Sequence, residues 1–191
     1  MRSLRCCVAG VPELVFAAQI FARRLAPLLV SLLIVLFDRV SKLAINGSLS
    51  AFDSVGVIPG WLRIVQTEHP GAAFGVLAEG NPIVRNAVLI GISTVVLIFV
   101  ASALWNQNNS FSAPIARLGL SFILGGAVGN LYDRVVHRAV TDFIEVYHGS
   151  WAFPAFNVAD SAITVGAILI LIDLARPRRK NLQEQTGLVH K

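Results

Sequence analysis

Charge is scarce in this chain. Of its 191 residues only 14% are Asp, Glu, Lys or Arg, against 55% apolar, and the mean hydropathy is +0.68. An ordinary water-soluble domain carries roughly a quarter of its residues charged, so that class is excluded and a polytopic membrane protein is expected. Cysteine is scarcer still: Cys6 and Cys7 are the only two, and they are adjacent. Neighbouring cysteines close at best a strained ring, which leaves no disulfide framework and no thiolate metal site. Also missing are a Gly-rich phosphate loop, a Cys–His pair and zinc-ligand spacing, so the residues call for no cofactor and no metal. The net charge of +5 does not point to nucleic acid, because the basic residues gather at the two ends of the chain. Arg2, Arg5, Arg23 and Arg24 precede the first apolar run, and Arg176, Arg178, Arg179 and Lys180 follow the last, as in tails retained on the cytoplasmic side.

Apolar runs are plentiful. Crossing about 30 Å of hydrocarbon takes roughly 20 helical residues. Segments of that kind fall at Leu25–Ile45, Ile83–Trp105, Pro114–Tyr132 and Ala155–Leu174. Arg23, Arg24 and the run Leu25–Phe37 imitate a signal peptide, but Ala44-Ile45-Asn46 is a poor cleavage site, so the first span is expected to be retained. The third span contains Gly119, Gly125, Gly126 and Gly129. Its Gly125-xxx-Gly129 pair predicts close approach by another helix.

An even number of spans puts both termini in the cytoplasm. Residues 1–24 then form a cytoplasmic extension, with Ala17–Arg24 as a possible short surface helix. Residues 25–174 form a single membrane domain, and 175–191 a basic cytoplasmic tail. Two segments face outward. Residues 46–81 hold VIPGWLRIVQ and TEHPGAAFGVL, whose partial alternation and Gly/Pro punctuation predict a small twisted sheet, with Trp61 at the interface. Residues 133–154 end in YHGSWAFP, where Tyr147 and Trp151 suit an aromatic belt. The predicted fold class is an all-α membrane protein with four transmembrane helices and a small extracytoplasmic β-sheet.

In that orientation the scattered acids share one depth. Asp38 lies toward the outer end of span one, Asp133 at the outer end of span three and Asp142 in the second outer segment. Asp160 sits about 7 to 9 Å inside span four. Ionisable groups in a membrane span are costly and usually mark function. Some have plain structural readings: Asp38 and Lys42 are spaced for an i,i+4 ion pair, Asp133 with Arg134 can pin the end of span three, and Asp173 can pair with Arg176 at the inner end. Asp142 and Asp160 have no such neighbour except Arg138, in a segment that need not be helical, and spacing alone leaves a catalytic or a structural pair open. Two carboxylates in a partly dry site can share one proton, so that one takes a proton from water while the other polarises an amide carbonyl, the chemistry of aspartic peptide hydrolysis. Asn130 and Asn157 are buried amides that can orient acids or substrate, or tie helices together. Arg134 can clamp a carboxylate or snorkel to the surface.

The succession FDRVSK, HPGAAFG, GGAVGNLYDR, VTDFIEV and FPAFNVADSAITVG resembles the lipoprotein signal peptidases, or signal peptidase II, of bacteria. The motifs stand in the family's order and cover about Leu25 to Leu174. The resemblance implies an aspartyl endopeptidase (EC 3.4.23) of the bacterial inner membrane that removes the signal peptide from a prolipoprotein, cutting before a diacylglyceryl-modified cysteine. Its site would lie near the periplasmic face. Asp142 and Asp160 match the catalytic dyad. Asn130, Arg134 and Asn157 match polar positions of the site, Asp38 and Lys42 match the first-helix motif, and Gly71 lies in the GAAFG segment of the family's β-cradle over the substrate. Membrane lipid and lipidated precursors are the implied partners, with no nucleic acid and a monomeric chain. Three features depart from the pattern: His69 stands where Asn is expected, Arg39 follows Asp38 where Gln is more usual, and the extension before Leu25 matches no role in the family.

Competing readings use the same residues. The acids could relay protons or ions, or Gly125-xxx-Gly129 and the outer sheet could serve docking in a non-catalytic assembly protein. A Ser41–Lys42 dyad is disfavoured because adjacent helix positions point about 100° apart. A catalytic or metal-binding His69 would have only Glu68 nearby.

Overall fold

The computed structural model describes residues 10–50, 53–69, 81–106, 111 and 113–176, with backbone alone for residues 10–24 and His69. In chain order the elements are α1 (Gly10–Ser48), β1 (Ser54–Ile58), β2 (Leu62–His69), α2 (Pro82–Trp105), α3 (Pro114–Val136), β3 (Val140–His148), β4 (Trp151–Ala152) and α4 (Val158–Ala175). Gly71 and the rest of the GAAFG segment lie outside the described residues, as do Cys6, Cys7 and the tail beyond Arg176.

Helix boundaries follow from local chemistry. The Asn81 side chain accepts a hydrogen bond from the Ile83 N–H at 2.9 Å and Pro82 opens α2, where its missing N–H costs nothing. Pro114 opens α3 in the same way. Helix α3 runs on to Val136, past the expected end at Tyr132, so Asp133 and Arg134 are helical. The chain turns out of it through Arg138, in the left-handed region at φ 61°. Helix α4 starts at Val158 rather than Ala155, because Phe156 is taken up by a β-bridge to Ile144.

Helices α2, α3 and α4 are long and apolar enough to cross a membrane. Helix α1 is longer, 39 residues, and continuous from Gly10, so the stretch expected as a separate surface helix at Ala17–Arg24 is its first part. It carries Asp38, Arg39 and Lys42 within an otherwise apolar run. The apolar side chains of α1 and α2 face outward in quantity: Leu29, Leu33 and Phe37, with Val95, Ile98 and Phe99, are all more than half exposed. Surfaces of this kind suit lipid.

Helix α3 is the hub, and its glycines explain why. A Cβ on Gly125 would lie 2.8 Å from the Ile34 Cβ and the Ser31 carbonyl of α1. One on Gly126 would lie 2.3 Å from the Ala159 carbonyl of α4. The expected Gly125/Gly129 seam therefore faces α1, while a second seam, Gly119 and Gly126, faces α4 across from Gly166. Hydroxyls fasten the first seam: Ser31 Oγ donates to the Ser121 carbonyl at 2.9 Å.

The sheet is a four-stranded antiparallel array in the order β1-β2-β3-β4. It differs from the expectation in drawing strands from both outward segments: β2 of the first pairs with β3 of the second, with Thr67 opposite Asp142. Trp61, at the β1–β2 turn, stacks 4.6 Å from the His148 ring and is exposed. Gly60 takes a positive φ of 78° at that turn and donates its N–H to the Tyr147 hydroxyl at 3.1 Å.

Candidate active site

Strand β3 and the start of α4 meet because their backbones bond directly. The N–H groups of Phe143 and Ile144 both donate to the Phe156 carbonyl, at 3.1 and 2.8 Å, and the Phe156 N–H returns a bond to Ile144 at 3.0 Å. Asp142 and Asn157 are thereby brought side by side. Asn157 is the N-cap of α4 and Asp160 is its N3 residue, an arrangement in which each side chain can satisfy the other's backbone N–H. The Asp160 N–H donates to Asn157 Oδ1 at 2.9 Å, and the Asn157 N–H donates to Asp160 Oδ2 at 3.4 Å.

With its oxygen committed to the helix, Asn157 turns its amide nitrogen outward. Nδ2 donates to Asp142 Oδ1 at 2.6 Å, with longer contacts to the Thr141 carbonyl at 3.2 Å and Asn130 Oδ1 at 3.3 Å. One residue thus touches both candidate carboxylates. Asn130, from α3, closes the circuit by donating Nδ2 to Asp160 Oδ1 at 2.7 Å. Asn157, Asn130 and Asp142 are buried, and Asp160 is partly exposed.

Behind this layer lies a second, wholly buried one. Lys42 Nζ donates to Asp38 Oδ2 at 2.8 Å, to Asp133 Oδ2 at 2.7 Å and to Asn130 Oδ1 at 3.4 Å. Asp38 Oδ1 accepts the Ala159 N–H at 3.0 Å, tying the first turn of α4 to α1. The expected Asp38–Lys42 pair is present. The Asp133 carboxylate, by contrast, pairs with Lys42 and Arg39 instead of its neighbour Arg134. Arg39 also lies over the Tyr132 ring, 4.3 Å from its centroid. By sequence alone Arg39 is a departure without a role. A cation inside an apolar run needs a partner, and that rule is the signal that could have directed it to Asp133.

Arg134 takes another course. Its Nη1 donates to the Asn130 carbonyl at 3.2 Å, and its guanidinium lies within electrostatic reach of Asp160, Asp142 and Asp133. Its Nε is buried with no hydrogen-bond partner among the described residues. Ser41 donates its hydroxyl to the Asp38 carbonyl at 3.0 Å, as expected of a packing residue. At the other end of α4, Arg176 bonds through its backbone N–H to the Asp173 carbonyl; no side-chain ion pair joins them among the described residues. No group of three or more His, Cys, Asp or Glu able to hold a metal occurs among the described residues.

Burial pushes the Asp142 carboxyl up to about 7, and the neighbouring charge of Asp160 pushes in the same direction. The hydrogen bond from Asn157 and the charges of Lys42 and Arg134 oppose that shift without cancelling it. A carboxyl group that titrates near neutrality beside a second carboxylate is equipped for proton transfer at working pH.

These features define a class: a membrane protein, mostly helical, whose helices and small sheet converge on buried acids and amides at one end of the bundle. The family model described as signal peptidase (SPase) II matches residues 30–176, and the chain belongs to that family of bacterial membrane proteases. It is 42% identical over 151 residues to the lipoprotein signal peptidase of Solibacter usitatus, covering 79% of this chain and 91% of that one. It is 38% identical over 160 residues to the lipoprotein signal peptidase of Pseudomonas fluorescens, covering 82% and 91%. A bacterial membrane enzyme solved by the in meso method at 2.3 Å resolution superposes with a TM-score of 0.69 at 31% identity, covering 87% of this chain and 93% of that one.

Proposed function

We propose that the protein is an aspartic endopeptidase that removes the signal peptide from diacylglyceryl-modified prolipoproteins, cutting before the lipidated cysteine, with Asp142 and Asp160 as its catalytic dyad. The observation that carries this reading is Asn157, which bonds Asp142 through its side-chain amide and Asp160 through its backbone N–H. The pair is held as one unit with a common supply of donors. In the working state the dyad holds a single proton. Asp142, titrating at about 7, retains it and donates a hydrogen bond to the scissile carbonyl oxygen, while ionised Asp160 removes a proton from water. The water oxygen bonds to the carbonyl carbon to give a tetrahedral intermediate. The C–N bond then breaks as the leaving nitrogen takes a proton from the dyad. Arg134 and the amides of Asn130 and Asn157 hold the negative charge in place throughout.

Helix α1 serves as the fourth span, since its described outward side chains are apolar while Asp38 and Lys42 are turned inward to α4 and α3. Both termini then lie in the cytoplasm, and the sheet and the dyad lie at the periplasmic face of the inner membrane. Residues 25–174 form one peptidase domain, acting as a monomer. The signal helix enters from the bilayer while its acyl chains remain in lipid, so the lipid on the precursor is part of its recognition. Purified protein in detergent should cleave a diacylglyceryl-modified precursor and leave the unmodified form essentially intact. Equal cleavage of both would refute the assigned substrate.

A further inference from the structure

Beyond the dyad itself, the geometry points to Lys42 as a positioning residue: its ammonium group, from the layer behind the dyad, holds the Asn130 amide in the one orientation that presents an N–H, rather than an oxygen, to Asp160. This rests on Asp142 and Asp160 acting as proposed above.

The orientation follows from donors whose identity is unambiguous. An asparagine side chain presents oxygen on one side and NH2 on the other, and which is which must be read from its partners. For Asn157 the deciding partner is the Asp160 backbone N–H, which can only donate, so the atom 2.9 Å from it is Oδ1 and Nδ2 faces Asp142 and Asn130. The Asn130 atom facing that Nδ2 must then accept. Lys42 enforces the same assignment from the other side, because an ammonium has three protons and no lone pair. It gives two bonds to Asp38 and Asp133 and directs its third at Asn130 Oδ1. The remaining Nδ2 has one place to go, 2.7 Å from Asp160 Oδ1.

A reversed Asn130 would set a carbonyl oxygen against the carboxylate that must act as base. The charge balance of the buried layer supports the assignment of Lys42 to orientation rather than simple neutralisation. Asp133 has a second cation in Arg39, so Lys42 is not its sole counter-ion. Among the described residues Lys42 is the only side chain of α1 that bonds Asn130.

The test compares three variants with the native protein, using cleavage of a diacylglyceryl-modified precursor and a thermal melt. Lys42→Met removes the donor at similar length. Combining Asp38→Asn with Lys42→Met removes one charge of each sign, should the single variant fail to fold, and the amide oxygen it introduces on α1 can still accept from the Ala159 N–H. Arg39→Gln breaks an Asp133 ion pair without touching Asn130. Losing the Lys42 contact that orients Asn130 predicts a fall in kcat of about 10- to 100-fold (about 1.4–2.7 kcal/mol at the barrier) for either Lys42 variant, with KM within about threefold. Arg39→Gln should stay within about threefold of native in both, because Asp133 keeps the Lys42 ammonium and the introduced amide can still donate to it. The pH profile supplies an independent readout. Among the described residues the charged groups around the dyad are Asp38, Arg39 and Lys42 on α1 and Asp133 and Arg134 on α3, and loss of the Lys42 charge alone should move the alkaline limb upward.

A folded Lys42→Met or double variant with native kcat and native pH profile would overturn the proposal, as would a loss confined to KM. An equal loss in Arg39→Gln would overturn it too, since the layer's integrity would then be what matters. The dyad reading is judged separately by Asp142→Asn and Asp160→Asn. Retained activity in those variants would defeat that reading whatever Lys42 does.

Discussion

Asp142 and Asp160 show what environment does to identical side chains. Asp142 is buried on a strand, and Asp160 is partly exposed at a helix N-terminus, where backbone N–H groups stabilise negative charge. The pair should give a bell-shaped kcat/KM profile, falling at low pH when both carboxyls are protonated and at high pH when the shared proton leaves, with the alkaline limb near pH 7. A flat profile from pH 5 to pH 9 would contradict the shared proton. Stability gives a second measurement. In an unfolded chain an Asp titrates at about 3.9, whereas the folded Asp142 titrates at about 7. Between those values the folded state holds a proton that the unfolded state has released, so this group's effect on stability declines as pH rises through that window and is fully lost above it. Asp142→Asn should remove the decline and melt a few degrees higher than native at pH 8 while losing activity; an unchanged melting temperature there would argue against burial of the charge. The acids themselves were legible in the sequence as carboxylates without local counter-ions. Arg39 was not, because its partner Asp133 lies on another helix and has a nearer candidate in sequence, the adjacent Arg134.

Helix α3 and strand β3 supply the precision at the next scale up. Spacing of the glycines revealed that α3 is closely approached, and the Gly125/Gly129 seam could be read directly. Its second seam could not, since Gly126 meets the Ala159 backbone only after α4 has packed. That contact lies one residue from Asp160. Gly126→Ala would place a methyl group 2.3 Å from the Ala159 carbonyl, so α4 must move. Overpacking of this kind costs about 1–3 kcal/mol. The expected result is a lower melting temperature together with a drop in kcat of at least tenfold (roughly 1.4 kcal/mol at the barrier), because the N-cap that carries Asn157 and Asp160 shifts. A variant with native kcat would show that the site tolerates the displacement. Strand β3 was harder to foresee. Alternation predicted a sheet within residues 46–81, but pairing across distant segments leaves no local signature. The placement of Asp142 opposite Thr67 therefore emerged only from the fold.

At the level of the whole molecule, three apolar helices, a long partly charged one and a small antiparallel sheet converge on a single polar site. Composition alone announced a membrane protein, and the order of five motifs announced the family. Asp38, Arg39 and Lys42 blur the outline of α1 as an apolar helix, yet Asp38 and Lys42 form the layer behind the candidate dyad, and apolar neighbours such as Leu33 and Phe37 face outward. The proposed peptidase activity requires two carboxylates acting together. Its most direct test is turnover of a diacylglyceryl-modified precursor by purified Asp142→Asn and Asp160→Asn proteins, beside Asp53→Asn as an exposed-acid control. Each dyad variant, inserted and folded as native, should lose at least about 100-fold in rate while the control cleaves normally. Native-like cleavage by either dyad variant would contradict it.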